Sequence, residues 1–149
     1  MDVDFEMVKQ LVPFVGTVGI EPAEVAVSDD NTVCLRLRRT DPILNHLSTF
    51  HAGALFTLGE TVGGYAIVAR LGPAFIVGHS LIAAGARIDY QKLVREEVLC
   101  SGRLTDEDAT QIAELAVGEV HKFEIALRFV GDGRESGTMT VSYSIKRTT

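Results

Sequence analysis

The feature that most constrains this chain is the run from His51 to Leu71, about twenty residues without a proline. Its apolar positions (Ala52, Leu55, Phe56, Leu58, Val62, Ala66, Ile67, Val68) cover most of the circumference of an α-helix. A helix that is apolar all round has no face to offer water, so the rest of the fold must enclose it. Glu60, Arg70 and several glycines interrupt the run, which argues for a core helix and against a membrane span. A chain of 149 residues can build one such core and leaves no room for a second, so one domain over 1–149 is expected.

What encloses the helix is read from alternation. A first strand runs to about Ser28 and a second starts at about Thr32, with Asp29-Asp30-Asn31 as the turn. In the second, Val33, Leu35 and Leu37 alternate with Cys34, Arg36 and Arg38, giving one buried and one wet face. Phe123, Ile125, Leu127 and Phe129 share one face of a later strand, and Met139, Val141, Tyr143 and Ile145 one face of the next. Gly131-Asp132-Gly133 joins this pair as a hairpin. Segments near 77–91 and 97–104 alternate less regularly and are read as strands too. Phe5, Val8, Leu11, Val12 and Val15 recur at helical spacing and predict one short opening helix. Thr105-Asp106-Glu107-Asp108 reads as a capping box that starts another, through Ile112 and Leu115. The expected class is α+β, an antiparallel sheet wrapped on one long central helix.

Composition narrows the function. Net charge is -6 and the basic residues are scattered, so nucleic acid is not an expected partner, because duplex binding rests on a basic face. Cys34 and Cys100 lie far apart and make neither a CxxC nor a metal-ligand spacing. Free thiols in a reducing cytosol are expected, with no metal. The first residues, Met1 to Glu6, are acidic where a secretory signal would be basic, and no membrane partner is expected.

The central helix carries an oddity. Gly53, Gly59, Gly63 and Gly64 sit in it or at its start, each interior one costing roughly 1 kcal/mol relative to alanine. Such a helix is expected where another backbone or a ligand must come close. At about 100° per residue, Gly53, Phe56, Thr57, Gly64 and Ile67 fall within about 60° of Glu60. The helix's only carboxylate thus stands on a small and apolar strip, where its pKa is expected to rise unless it is paired. A solvent-facing or ion-paired Glu60, and a His51 that merely caps the helix, are the plainer alternatives.

The run Leu44-Asn45-His46-Leu47-Ser48-Thr49-Phe50-His51-Ala52-Gly53-Ala54-Leu55-Phe56-Thr57-Leu58-Gly59-Glu60-Thr61 resembles the signature of hot-dog-fold thioesterases of the phenylacetate-degradation type. That family shows an asparagine, then His-Gly-Gly, Leu-Phe and an acidic residue on the helix. Asn45, His51, Leu55-Phe56 and Glu60 match it without a gap, and Arg87-Ile88-Asp89-Tyr90 looks like its third strand. There are departures. Ala52 replaces the middle glycine and adds a Cβ at a crowded place; Glu60 stands where aspartate is usual. Ala83, Ala84 and Gly85 stand where a serine or threonine is common, with Ser80 slightly earlier.

The resemblance implies a hot-dog fold and hydrolysis of an acyl-CoA or similar thioester, without a cofactor, by a homodimer or homotetramer. In that reading Glu60 is the general base or nucleophile, and the backbone N–H of Ala52, helped by Gly53, holds the oxyanion. Asn45 orients the water or the thioester, and His51 braces the loop before the helix. Glu60 lies eight residues beyond Ala52, about 12 Å along a helix, and the family supplies the acid from the neighbouring subunit. Thr57, Thr61, Ser80, Arg87 and Lys92 are candidate substrate contacts, with Arg36 and Arg95 as further cations for coenzyme phosphates. Two alternatives stay open. One is a non-catalytic acyl-CoA or small-ligand binder, favoured by Ala52 and the missing hydroxyl. The other is a hot-dog 3-hydroxyacyl dehydratase, since His46 and Glu60 have its fourteen-residue spacing, although residues 47–54 lack its prolines.

Overall fold

A computed structural model describes residues 4–149. In chain order its elements are α1 (Phe5–Leu11), α2 (Pro13–Val18), β1 (Glu21–Val27), β2 (Val33–Arg38), α3 (Ala52–Leu71), α4 (Ala74–Gly78), β3 (His79–Tyr90), β4 (Glu97–Gly102), α5 (Asp106–Ala113), β5 (Val120–Gly131) and β6 (Arg134–Arg147), with a short 3₁₀ turn at Asp41–Ile43. The six strands form one sheet in the order β1-β2-β4-β5-β6-β3, and every neighbouring pair is antiparallel. The sheet curls around α3, which is the hot-dog arrangement.

The packing explains the apolar circumference of α3. Leu58, Val62, Ala66 and Ile67 are fully buried, as are Val33, Leu35 and Leu37 of β2, Val98 and Cys100 of β4, and Val141 and Ile145 of β6. Two of the glycines set how close helix and sheet lie. A Cβ on Gly59 would collide with the Met139 sulfur and the Phe129 ring, and one on Gly63 with the Tyr143 hydroxyl. Among the described residues α3 is the one helix long and apolar enough to cross a membrane, and here it is the core helix of the sheet. The β5–β6 hairpin turns through Asp132 (φ 51) and Gly133 (φ 80), the two left-handed positions that a two-residue hairpin loop requires.

Four boundaries differ from the expectation. The opening helix is two helices, because Pro13 has no N–H to continue α1 and keeps Val12 out of the helical conformation (φ -128, ψ 83). Residues 77 and 78 end α4, so β3 starts at His79. β4 stops at Gly102 instead of 104, and α5 at Ala113, with Leu115 buried just beyond it.

The two sheet edges are unlike. β1 is short, contains Pro22 and shifts register between Pro22 and Val27. β3 is twelve residues long, bulges between Ala83 and Gly85, and pairs only with β6 among the described strands. Its second side offers a row of unsatisfied backbone groups, the ordinary template for another strand.

Candidate active site

The loop before α3 is tied down at both ends. Leu44 and Phe50 bridge, and the Asn45 side chain organises what lies between. Its amide oxygen accepts the N–H groups of Leu47 (2.9 Å) and Thr49 (3.1 Å), while its nitrogen donates to Thr49 Oγ1 (2.8 Å). The Arg39 guanidinium donates to the carbonyls of Ser48 and Arg95, both at 2.8 Å, and clamps the loop to the segment before β4. Asn45 therefore holds the loop in this subunit with the same atoms that would orient a water.

His51 is the N-cap of α3. Its Nδ1 accepts the Gly53 N–H at 2.8 Å, and its own N–H donates to the Ile43 carbonyl at 2.9 Å. The Gly53 N–H, a candidate oxyanion donor, is thus already engaged within the subunit. The Ala52 N–H has no acceptor among the described residues. It points out of the positive end of a twenty-residue helix, where unpaired N–H groups attract negative charge. Ala52 is exposed, so within the subunit its Cβ is not crowded. The Ala52 carbonyl accepts the Tyr90 hydroxyl at 3.0 Å, which fastens the start of α3 to the end of β3.

Glu60 lies two turns further along, on the wall of a cavity of about 350 Å³ bounded by α1, α2, α3, α4, β3 and β6. Its carboxylate has no hydrogen-bond or ion-pair partner among the described residues, and burial raises its pKa above the usual carboxylate value. The neighbouring polar groups are fixed elsewhere. The Tyr143 hydroxyl donates to the Glu60 backbone carbonyl at 3.1 Å; burial, and then the Glu60 charge, push its pKa up. His79 stacks on Phe75 with ring centroids 4.2 Å apart, and its Nδ1 lies 3.1 Å from the Phe75 carbonyl. The Thr57 and Thr61 hydroxyls turn back to the carbonyls of Gly53 (2.8 Å) and Thr57 (2.7 Å), and only Thr61 reaches the cavity wall.

The remaining candidates stand apart from this cavity. Leu81 and Ala83 face it, so Ser80 projects from the opposite face of β3. Arg87 shares that outer face and pairs with Asp89 at 3.5 Å. Lys92 and Arg95 are exposed beyond the end of the strand, and Arg36 pairs with Glu21 at 3.6 Å. His46 is exposed in the loop and is not on the cavity wall. The sequence reading missed the α1–α2 wall, His79 and Tyr143. Tyr143 had a signal, as the one polar tip on an otherwise apolar β6 face; the wall had none.

A family described as a domain of unknown function (DUF4442) matches residues 5–148. No curated protein matches the chain. Among solved structures, a Shewanella oneidensis protein provisionally assigned as a thioesterase is similar at 16% identity and TM-score 0.78, over 97% of this chain and 94% of that one. A Pseudomonas aeruginosa protein of unknown function, likewise provisionally a thioesterase, is similar at 19% identity and TM-score 0.78, over 99% and 98%. A thioesterase from Haemophilus influenzae is similar at 15% identity and TM-score 0.74, over 99% and 93%. At these identities the likeness establishes the fold, the hot-dog fold of those neighbours. The chain belongs to the DUF4442 family and has the hot-dog fold of the thioesterases it resembles.

Proposed function

We propose that this protein hydrolyses acyl-CoA or similar thioesters, with Glu60 as general base or nucleophile. The observation that carries the reading is a carboxylate without a partner on a largely apolar cavity wall, its pKa raised by burial. A base whose pKa has moved toward neutrality is suited to take a proton from water. In the general-base route, the Glu60 carboxylate accepts a proton from water as the water oxygen bonds to the thioester carbon. The carbonyl oxygen becomes an anion beside the Ala52 N–H. Collapse restores the carbonyl, breaks the C–S bond and sends the thiolate away with the proton. The products are a free acid and a thiol.

Ala52 and Glu60 of one chain are separated by two helical turns, so the proposal makes the site a shared one. Two copies of one strand related by a two-fold axis must pair antiparallel. Pairing β3 with β3 in this way would set the Tyr90 end of one copy, and the Ala52 held there, near the Leu81–Ala83 end of the other, where Glu60 lies. The unpaired β3 edge and the exposure of Ile82 (59%) and Phe56 (38%) support a dimer through this surface. Arg87 and Lys92, both exposed and outside the cavity, are left as candidate contacts for coenzyme phosphates.

The test is Glu60→Gln, which keeps shape and hydrogen bonding but cannot act as base or nucleophile. The expected loss in kcat is about 10²–10⁴-fold, with folding checked by thermal melting. Retention of more than about a third of the activity would remove Glu60 from the chemistry. One set of observations favours a second reading, that of a non-catalytic acyl-CoA binder. The Asn45 amide and the Gly53 N–H are both occupied, and no hydroxyl faces the cavity from β3. Acyl-CoA binding without thiol release would identify that case.

A further inference from the structure

We infer that the cavity beside Glu60 is an acyl-chain pocket walled by the α1–α2 pair, and that it selects uncharged chains of on the order of eight to twelve carbons. This rests on the thioesterase reading and adds the substrate class.

An apolar cavity of roughly 150 Å³ holds a benzene ring. The cavity here, at about 350 Å³, takes a chain about twice as large with part of its open mouth discounted. An acetyl group would leave most of the walls without contacts, and dispersion would be lost along their whole length.

Among the described residues the polar side chains on the wall are Glu60, Thr61, Tyr65, His79 and Tyr143, with no lysine or arginine. A second carboxylate on the acyl group would find no counter-charge and would meet Glu60, so dicarboxylic acyl groups are excluded. Beyond these groups the surface is apolar, and α1, α2 and the residue between them contribute Val8, Leu11, Val12 and Val15. The break at Pro13 lets both short helices present an apolar side to one cavity. Phe5 anchors α1 by an edge-on contact with Tyr65 (5.6 Å between centroids), and buried Val15 and Val18 anchor α2.

Gly64 gives the means of testing this. It lies on the cavity wall, and a Cβ built there meets nothing within 4 Å, so a side chain enters the cavity without striking the fold. The experiment measures thiol release from straight-chain acyl-CoA substrates from acetyl to palmitoyl, with wild type, Gly64→Leu and Leu11→Asp. It also measures binding of S-decyl-CoA, a thioether that cannot be hydrolysed, by calorimetry. In wild type, kcat/KM should rise about fourfold per added methylene, the equivalent of about 0.8 kcal/mol, and level off near eight to twelve carbons. Gly64→Leu should move the optimum about two to four carbons shorter, and Leu11→Asp should lower kcat/KM for decanoyl-CoA by roughly tenfold or more while sparing short chains. An optimum at acetyl, a flat profile, or an optimum unmoved by Gly64→Leu would overturn the pocket while leaving the hydrolase reading intact. No turnover of any thioester, with S-decyl-CoA bound tightly by wild type and roughly tenfold more weakly by Gly64→Leu, would uphold the pocket and remove the hydrolase reading.

Discussion

Replacing Gly63 by alanine tests how α3 sits on the sheet. A Cβ at that position would lie inside contact distance of the Tyr143 hydroxyl and 3.0 and 3.1 Å from two carbons of its ring. Tyr143 has little room to retreat: it is 2% exposed and packs against Phe123 with ring centroids 5.8 Å apart. Moving it also breaks the hydrogen bond from its hydroxyl to the Glu60 carbonyl. Overpacking of this kind costs about 1–3 kcal/mol, and an orphaned buried hydroxyl about 1–3 kcal/mol more. Against this stands about 1 kcal/mol gained when alanine replaces a helix glycine. The net is a destabilisation of roughly 1–5 kcal/mol. At about 2–4 °C per kcal/mol for a domain of this size, the melting temperature should fall by around 10 °C. Gly64→Ala is the control with the opposite sign. Its Cβ meets nothing within 4 Å, so only the propensity gain of about 1 kcal/mol remains and the melting temperature should rise about 2–4 °C. Thermal melting of the two variants side by side decides it. If Gly63→Ala melts as high as Gly64→Ala, the packing of this helix face on Tyr143 is wrong.

Three further outcomes follow from the same structure. Because burial raises the pKa of Glu60 above its ordinary 4.5, the stability this group contributes is full below about pH 4.5 and is lost as pH rises through the raised value. Glu60→Gln should therefore melt like wild type in acid and above it at neutral pH; a melting difference that does not grow with pH would contradict the burial. The 16.1 kDa chain should sediment as a dimer or larger, and a stable, active monomer would end both the β3 pairing and the shared site. Thr105 caps α5 by accepting the Asp108 N–H at 3.1 Å, so Thr105→Ala should lower unfolding free energy by about 1 kcal/mol in a urea titration. No change there would mean the cap contributes nothing.

The parts of the fold that were legible in the sequence are those whose burial is one-sided or complete. α3 was legible because Leu58, Val62, Ala66 and Ile67 are fully buried, and β5 and β6 alternate because one face lies on the core and the other does not. β3 was blurred for a physical reason. From Ile82 to Arg87 every residue is exposed in a single chain, so no burial selects an alternating pattern there. The opening helix failed differently. Phe5, Val8, Leu11, Val12 and Val15 do keep a helical period, but two helices satisfy it, since Val8, Leu11, Val12 and Val15, on either side of the Pro13 break, line the same cavity. Periodicity reports which residues are covered and is silent on whether one axis or two carries them.

The site shows the same division between local chemistry and assembled geometry. Glu60 was legible because a carboxylate on a strip of small and apolar residues is conspicuous in one dimension. Its cavity was not, since Val8, Val15, His79 and Tyr143 come from four separate elements. The two residues after His51 are the most instructive case. In the motif both are glycine, and the sequence offers no ground for treating them differently. Within the subunit they are not equivalent. At position 52 the side chain is exposed, so alanine is accepted and the N–H stays available. At position 53 a Cβ would stand 3.0 Å from His51 Nδ1 and 3.3 Å from the next ring carbon, the same ring that receives the Gly53 N–H. The second glycine thus answers to the histidine, and the first answers only to whatever approaches the helix end from outside. That the chain keeps the one and replaces the other agrees with the subunit's own packing, and the Ala52 N–H is the single open donor at the start of α3 among the described residues.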